Sequence, residues 1–116
     1  MAHDIRAHLS YADISAQKAR LVVDLVRGKD AGDAMNTLKF LPNKAARSLS
    51  KLLASAVANA EENFGVSRDD LFIYKIVADE GPTRKWRRFG ARGRFKPILR
   101  RSSHLTIVLR ERESES

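Results

Sequence analysis

The stretch GPTRKWRRFGARGRFKPILRR, from Gly81 to Arg101, contains nine Lys or Arg residues and no acid. It lies between LFIYKIVA (Leu71 to Ala78) and SHLTIVL (Ser103 to Leu109), which predict strands because both are rich in β-branched and aromatic residues. A connection of this length is too long for a tight turn. The sequence therefore predicts a β-hairpin with arms from about Gly81 to Lys96, which projects roughly 25 Å at ~3.3 Å per residue.

The net charge of the chain is concentrated in the same region. The 116 residues include 22 Lys and Arg and 14 Asp and Glu, for a formal net charge of +8. Ten of these bases and none of the acids lie between Gly81 and Arg110, which leaves twelve bases against fourteen acids in the rest. A contiguous excess of this kind is typical of a contact with a polyanion, whereas a solvated face usually mixes both signs. Because an isolated ribbon this long is marginal in water, its cations indicate a nucleic acid that holds it.

Three aromatic residues, Trp86, Phe89 and Phe95, interrupt the cations of this segment. They can stack on unpaired bases, as side chains do in proteins that bind single-stranded RNA, or they can pack the two arms against each other. For Trp86, a role that faces nucleic acid or solvent is favoured, because Lys85 and Arg87 flank it. Both roles stay open for Phe95. The arginines suit phosphate because a guanidinium can bridge two phosphate oxygens.

The residues before the hairpin predict one strand and three helices. In the strand, Ile5 to Ala12, alternation predicts one buried face that contains Ile5, Ala7, Leu9 and Tyr11. The helices begin at N-cap residues and end at Gly or Pro: they run from Ser15 to Gly28, from Asp30 to Leu41 before Pro42, and from Asn43 to about Phe64 before Gly65. The third helix carries many Ala and Ser residues, so we expect it to pack closely on a sheet or on another helix.

Composition and motifs argue against several classes of protein. There is no Cys, which excludes disulfides and thiolate metal sites and fits a reducing compartment. No apolar run approaches the ~20 residues that cross a bilayer, and Met1 to Arg6 do not form a secretory signal. Asp79 and Glu80 are adjacent on a strand and point to opposite faces, so they cannot act as a catalytic pair. The three His residues lack ligand spacing, and His104 is expected to be hydrogen-bonded at the edge of the core. We therefore expect no enzyme activity, cofactor or metal.

Five short motifs occur along the chain in a consistent order. They are SAQKARLV from Ser15 with RGK from Arg27, SAVANAE from Ser55, DEGP from Asp79, ARGR from Ala91, and His104-Leu105 with Ile107 and Leu109. Together they resemble the bacterial large-subunit ribosomal protein family numbered twenty-two, over about Ile5 to Leu109. The chain departs from that family at Phe89 and Gly90, where the family usually has Pro and then Arg or His.

The resemblance implies an α+β fold, in which three helices pack on a small three-stranded antiparallel sheet and a long basic β-hairpin protrudes. We expect a single domain over residues 1–116, with a body of about 3–80 and 97–110, a hairpin of about 81–96 and a frayed tail of 111–116. By the resemblance, the protein binds large-subunit rRNA, supports early assembly and contributes its hairpin tip to the wall of the peptide exit tunnel. Its partners would be large-subunit rRNA, neighbouring large-subunit proteins and the nascent peptide, with no membrane and no homo-oligomer. It would lie on the large ribosomal subunit in the cytoplasm, with an organellar ribosome as the alternative.

The predicted site comprises basic and aromatic residues of the hairpin and of the body. The RNA-binding residues are Arg6, His8, Lys18, Arg20, Arg84, Lys85, Trp86, Arg87, Arg88, Arg92, Arg94, Lys96, Arg100 and Arg101. Of these, Arg84 to Arg88 are predicted to form the tip in the tunnel. Lys18 lies near the start of its helix, where the helix dipole disfavours a cation, so an external anion is one interpretation. The alternative is an ordinary surface Lys, which this position taken alone favours.

Two other classes of protein remain as alternatives. DNA-bending architectural proteins also use basic β-ribbon arms. They are usually dimers, however, and the helices of this chain offer no obvious self-complementary seam. An enzyme that acts on RNA would need an acid–base pair, and the sequence shows no plausible one.

Overall fold

The computed structural model describes residues 4–82, 84–89 and 95–112, with the two hairpin strands described by their backbone. Within these residues the chain forms three α-helices, a three-stranded antiparallel sheet and a separate two-stranded ribbon. The predicted α+β fold is therefore confirmed. In chain order the elements are β1 (Asp4–Ala12), α1 (Ala16–Val26), α2 (Ala31–Phe40), α3 (Lys44–Phe64), a 3₁₀ turn (Arg68–Asp70), β2 (Leu71–Glu80), β3 (Arg84–Phe89), β4 (Phe95–Arg100) and β5 (Ser103–Glu111).

The sheet has the order β1–β5–β2, so the last strand in the chain is the central strand. Leu105, Ile107 and Leu109 of β5 are fully buried in the same hydrophobic core as the helices. The antiparallel pairing of β2 with β5 ends with Glu80 opposite Ser103. The two strands that the hairpin connects are therefore direct neighbours, and the hairpin leaves the sheet at this end.

The predicted boundaries of α1 and α3 are confirmed by their capping residues. The side chains of Ser15 and Asn43 each accept a hydrogen bond from the backbone N–H three residues further on, at 3.3 Å and 2.8 Å. Gly28 follows α1 with a φ of 78°, and Gly65 ends α3 with a φ of 64°. Glycine adopts this left-handed conformation without the steric cost that a Cβ atom brings.

The hydrogen bonding of Asp30, the predicted N-cap residue of α2, differs from the prediction. Asp30 precedes the first residue of the helix, but within the described residues its side chain makes no capping hydrogen bond. The Asp30 carboxylate instead accepts a hydrogen bond from Nε of Arg112 at 2.6 Å. A charged guanidinium is a stronger donor than a backbone amide. The capping prediction is therefore wrong for the Asp30 side chain, although the helix begins at the expected residue.

The helices cover one face of the sheet and bury a continuous core. α3 packs against β1 and β5, and its residues Leu49, Leu53 and Ala56 are fully buried. α1 packs against β2 and buries Val23 and Val26. Because small Ala residues line much of α3, the helix can approach its neighbours closely. The expected packing of this helix on a sheet is confirmed.

The predicted buried face of β1 is wrong beyond its middle. Ile5 is buried, but Leu9 is 37% exposed and Tyr11 is 63% exposed. The pairing with β5 shifts register between Leu9 and Ala12, where one extra residue enters β1 and Ala12 takes the buried position. Tyr11 has a φ of 56° there, a value that bulky residues seldom adopt. Simple alternation does not include such a bulge, and for that reason it placed Tyr11 on the buried face.

β3 and β4 form the ribbon between β2 and β5. Their register runs from Arg84 opposite Arg100 to Phe89 opposite Phe95. β4 continues to Arg100, beyond the expected limit of the return arm at Lys96. The molecule measures 72 × 24 × 19 Å and has a radius of gyration of 17.5 Å, whereas a compact chain of this length has about 13 Å. These dimensions fit a hairpin that extends away from the body.

Candidate nucleic-acid interface

The register of the ribbon divides its residues between two faces of different chemistry. In an antiparallel pair, directly opposite residues share a face, and the faces alternate along each strand. The first face combines four cations with one aromatic and one aliphatic residue: Arg84, Trp86, Arg88, Lys96, Ile98 and Arg100. The second face has two cations and four apolar residues: Lys85, Arg87, Phe89, Phe95, Pro97 and Leu99. The first face is therefore the more suitable one for a phosphate backbone.

On the first face, like charges are paired directly across the ribbon. Arg84 lies opposite Arg100, and Arg88 lies opposite Lys96. Like charges in directly opposite positions destabilise a strand pair. An anion that lies along this face removes the repulsion. The pairing therefore favours a ribbon bound to a polyanion over a free ribbon.

The hairpin residues predicted to bind RNA fall into two groups. Most of them lie in the paired strands, whereas Arg92 and Arg94 lie outside the described residues. The residues predicted to form the tip, Arg84 to Arg88, extend along most of β3. Within β3, Arg84 is at the end nearer the body, and Arg88 is near the connection of residues 90–94. The role of this segment at the tip stays a prediction.

The hairpin leaves the sheet through a hydrogen-bonded root, which consists of Gly81, Pro82 and Ser102. The Gly81 N–H donates to the Ser102 carbonyl at 2.9 Å, and the Ser102 hydroxyl donates to the Pro82 carbonyl at 2.9 Å. A Cβ atom on residue 81 would lie 2.5 Å from Oγ of Ser102 and 3.4 Å from Nε2 of His104. Glycine at this position therefore permits a close approach of the two arms where they leave the sheet.

The face of the sheet opposite the helices, called here the open face, carries two predicted residues, Arg6 and His8, both exposed. Nδ1 of His8 lies 2.8 Å from Oγ1 of Thr106. Nδ1 of His104 accepts a hydrogen bond from the Tyr11 N–H at 3.2 Å, which confirms the hydrogen-bonded role predicted for His104. Since an amide can only donate, this nitrogen carries no proton and Nε2 of His104 does.

A groove of about 780 Å³ opens at the N-termini of α1 and α3. Two predicted RNA-binding residues, Lys18 and Arg101, line this groove together with Lys44. The Lys44 ammonium forms an ion pair with Asp13 at 3.0 Å. The fold thus brings the first turn of α1 next to the return arm of the hairpin, although the two are far apart in sequence.

Arg20 has a structural contact as well as an exposed position. Its Nε donates a hydrogen bond to the carbonyl of Ala78 at 3.1 Å. Ala78 lies near the end of β2, two residues before the strand leads into the hairpin root. This bond ties α1 to the base of the hairpin, while the guanidinium retains further N–H donors for an external acceptor.

Ion pairs separate the cations of the body into two classes. Arg27 pairs with Asp24 at 2.7 Å, and Arg110 pairs with Asp4 at 2.5 Å. The hydrogen bond from Arg110 is the main cause that holds the pKa of Asp4 below its ordinary value. Three of the predicted cations, by contrast, form neither an ion pair nor a side-chain hydrogen bond within the part of the chain that the structure describes: Arg6, Lys18 and Arg101. Cations without an internal partner remain available for an external anion.

Sequence reasoning missed two residues of this surface, Tyr11 and Lys44. The Tyr11 ring packs edge-on against His104, with centroids 4.9 Å apart. Alternation predicts that Tyr11 is buried, and no local signal in the sequence corrects it. Lys44 follows the N-cap residue Asn43, and only the packing of α3 beside α1 brings it to the groove.

The acidic and His residues that the structure describes form neither a carboxylate pair on β2 nor a metal-binding group. Asp79 lies opposite His104, and Glu80 lies opposite Ser103, so the two carboxylates are on different faces of β2 as predicted. Among residues 4–82, 84–89 and 95–112, no three His, Cys, Asp or Glu side chains come together in a way that could hold a metal ion. No helix in these ranges combines the length and the apolar character needed to cross a membrane.

The chain is similar to a family of ribosomal proteins. The pattern of the family described as ribosomal protein L22p/L17e matches residues 7–110. Proteins named large ribosomal subunit protein uL22 from Thermoanaerobacter sp. (strain X514) and Thermoanaerobacter pseudethanolicus are each 46% identical over 110 residues, which cover 95% of this chain and 99% of the relative. The protein of the same name from Caldicellulosiruptor saccharolyticus is 50% identical over 107 residues, which cover 92% of this chain and 88% of the relative.

Proposed function

Because the chain belongs to the ribosomal protein L22p/L17e family, we propose that it is a structural protein of the large ribosomal subunit that binds large-subunit rRNA. It supports early assembly of the subunit beside neighbouring large-subunit proteins. Its hairpin tip contributes to the wall of the peptide exit tunnel, where it meets the nascent peptide. The protein acts as a single copy in the cytoplasm and catalyses no reaction.

The observation that carries this proposal is the concentration of cations at the base of the hairpin and along its two strands. Lys18 and Arg101 line one groove at the base of the hairpin and form no ion pair within the described residues. Beyond the root, the first face of the ribbon continues with Arg84 opposite Arg100 and Arg88 opposite Lys96. Contacts of such residues with phosphates fix the position of a protein on a nucleic acid without reading its sequence.

Sedimentation distinguishes RNA from DNA as the partner. The full-length chain, tagged and produced in bacterial cells, is followed through a sucrose gradient after treatment with ribonuclease or deoxyribonuclease. We expect it to travel with large-subunit particles and to be released only by ribonuclease. Release by deoxyribonuclease alone would instead support a DNA-bending protein, and migration as free protein at low salt would contradict the proposal.

Salt dependence tests whether the cations contact phosphates. If the ten bases between Gly81 and Arg110 contact phosphates, the slope of log K against log salt should be about −7 to −9 for purified protein and transcribed large-subunit rRNA. Lys18→Ala and Arg101→Ala should each reduce the magnitude of the slope by about 1. Arg27→Ala is the matched control, because Arg27 is exposed but already paired with Asp24. A wild-type slope near about −2 would mean that most of these bases do not contact phosphate.

The register of the ribbon permits a sharper test of the tunnel role. Deleting residues 88–89 together with residues 95–96 removes two facing pairs. The deletion preserves the alternation of faces and retracts the connection by about 7 Å. We expect large-subunit particles to form, but the sensitivity of translation to drugs that bind in the tunnel to change. The control, Arg88→Ala with Lys96→Ala, removes the same two charges without shortening the ribbon. If the shortened variant forms no particles, or if its drug response equals that of the control, the tunnel role is wrong.

A further inference from the structure

The bulge in β1 places an aromatic side chain on the open face of the sheet. Tyr11 is 63% exposed and has a φ of 56°. A positive φ costs stability in a bulky residue, and residues held in such conformations concentrate at functional sites. Bulges likewise often redirect a side chain next to a site. Since Tyr11 is not buried, its packing into the core does not account for this conformation.

Tyr11 belongs to an ordered cluster of three rings. Its backbone N–H donates to Nδ1 of His104, and its ring lies edge-on to the His104 ring at 4.9 Å between centroids. The His104 ring is stacked on that of His8, at 6.1 Å and with an interplanar angle of 24°. Nδ1 of His8 is held by Thr106 at 2.8 Å. The three rings therefore position one another, while Tyr11 and His8 remain exposed.

This ring cluster lies beside the root of the basic hairpin. Nε2 of His104 is 3.4 Å from the position that a Cβ atom of Gly81 would take. Arg6 is exposed two residues before His8, on the same face of β1. One acid, Asp79, lies opposite His104 on β2 and is exposed as well. The ring cluster thus adjoins the root of the basic hairpin, which we assign to RNA binding. Arg6 and Asp79 add one cation and one carboxylate beside the rings.

We propose that Tyr11, His8 and His104 form a stacking platform for one unpaired base of RNA. The proposal rests on the proposed function, since it assumes that RNA covers this side of the protein. Aromatic rings exposed on a sheet bind unpaired bases through stacking, which every base permits. The carboxylate of Asp79 accepts hydrogen bonds only, so it can bind the base only through an N–H donor of that base. Arg6 is available to an adjoining phosphate.

The conformation of Tyr11 separates a binding role from a folding role. Tyr11→Asn removes the ring, and Asn adopts a positive φ several-fold more readily than most residues. If the ring serves RNA binding, this variant should be at least as stable as the wild type but should bind RNA less tightly. If the ring serves folding, the variant should be less stable and should bind RNA with unchanged affinity.

The experiment measures affinity and stability on the same full-length protein. Filter binding to transcribed large-subunit rRNA should show that Tyr11→Asn is about 5- to 100-fold weaker, whereas Tyr11→Phe, which keeps the ring, should stay within about 2-fold. The salt slope of Tyr11→Asn should match that of the wild type, because no charge is lost. Phe40→Asn is the matched control, since Phe40 is 80% exposed but lies at the end of α2, away from the open face.

The outcomes separate the platform from the proposed function. If the wild type binds with a steep salt dependence and Tyr11→Asn binds equally well, the platform is wrong and the proposed function stands. If Tyr11→Asn is less stable than the wild type, or if Phe40→Asn weakens binding as much as Tyr11→Asn does, the platform is also wrong. If the wild type itself does not bind the transcript, the proposed function fails, and the platform that rests on it fails too.

Discussion

Replacing Gly81 with Ala tests whether the hairpin root is as closely packed as its contacts indicate. The added methyl carbon would lie 2.5 Å from Oγ of Ser102, 3.3 Å from the Ser102 carbonyl carbon and 3.4 Å from Nε2 of His104. The Ser102 hydroxyl can rotate away, but it then loses its hydrogen bond to the Pro82 carbonyl. The carbonyl carbon is part of the backbone and cannot rotate away. The two arms must therefore separate by a few tenths of an ångström.

Three effects determine how much Gly81→Ala lowers the free energy of unfolding. Overpacking of this kind costs about 1–3 kcal/mol. The hydrogen bond that the Ser102 hydroxyl gives up contributes about 0.5–1.5 kcal/mol. Ala also lowers the conformational entropy of the unfolded chain, which offsets about 0.4–1 kcal/mol of the lost stability. We therefore expect Gly81→Ala to lower the free energy of unfolding by about 1–3 kcal/mol.

The assay is denaturant unfolding of four proteins: the wild type, Gly81→Ala, Ser102→Ala and the double variant that carries both changes. Removing Oγ of Ser102 removes the shortest contact, so Gly81→Ala should cost less in the Ser102→Ala background, by at least about 0.5 kcal/mol. Gly32→Ala is the control: a Cβ atom there meets nothing within 4 Å, and this substitution in α2 should stabilise the protein by about 0.5–1 kcal/mol. Equal stability of Gly81→Ala and the wild type, or an equal cost in both backgrounds, would refute the argument.

Three further changes test other contacts of the body. Asn43→Ala removes the N-cap of α3 and should lower the free energy of unfolding by about 0.5–2 kcal/mol in denaturant titrations. The Ser103 hydroxyl is buried without a partner among the described residues, so thermal unfolding should show that Ser103→Ala is as stable as the wild type or more stable, by up to about 1 kcal/mol. Asp4→Asn removes the partner of Arg110 and should be the less stable protein at neutral pH. Because the pKa of Asp4 is held below 3.8 in the folded state, this difference should disappear in unfolding curves as the pH falls below 3.8.

Signals that act within one turn of the chain were sufficient to predict the helices. Ser15 and Asn43 cap the helices that they precede, and Gly65 ends α3, because each of these contacts involves neighbours in sequence. The strands β2 and β5 were evident from their β-branched residues. The sheet order, with β5 between its neighbours, depends on contacts between distant residues. Periodicity alone did not predict that order, and the assembly of the three strands into one antiparallel sheet was implied only by the resemblance to a family.

The candidate site was predictable in its composition but not in its contacts. Charge counting identified the cations, yet it cannot tell Arg110, which pairs with Asp4 across 106 positions, from Arg101. Capping rules predicted that the Asp30 side chain caps α2, whereas it accepts a hydrogen bond from Arg112, which is 82 positions away in the sequence. Tyr11 was misplaced because one inserted residue reverses the two faces of a strand. In each case a tertiary contact decided the outcome, and the local sequence does not contain that contact.

The central position of β5 also determines when the body can close during synthesis. β5 pairs with both β1 and β2, yet it is the last of these strands to emerge from the ribosome that makes the chain. Until residues 103–111 emerge, both earlier strands lack their partner in the described sheet and expose unpaired N–H and C=O groups. The helices form from local contacts and can fold earlier, whereas closure must join residues as distant as Asp4 and Arg110, which is a slow step. A nascent chain that stops before β5 would therefore display open strand edges to chaperones and proteases, and it would lack the assembled surface that we assign to rRNA.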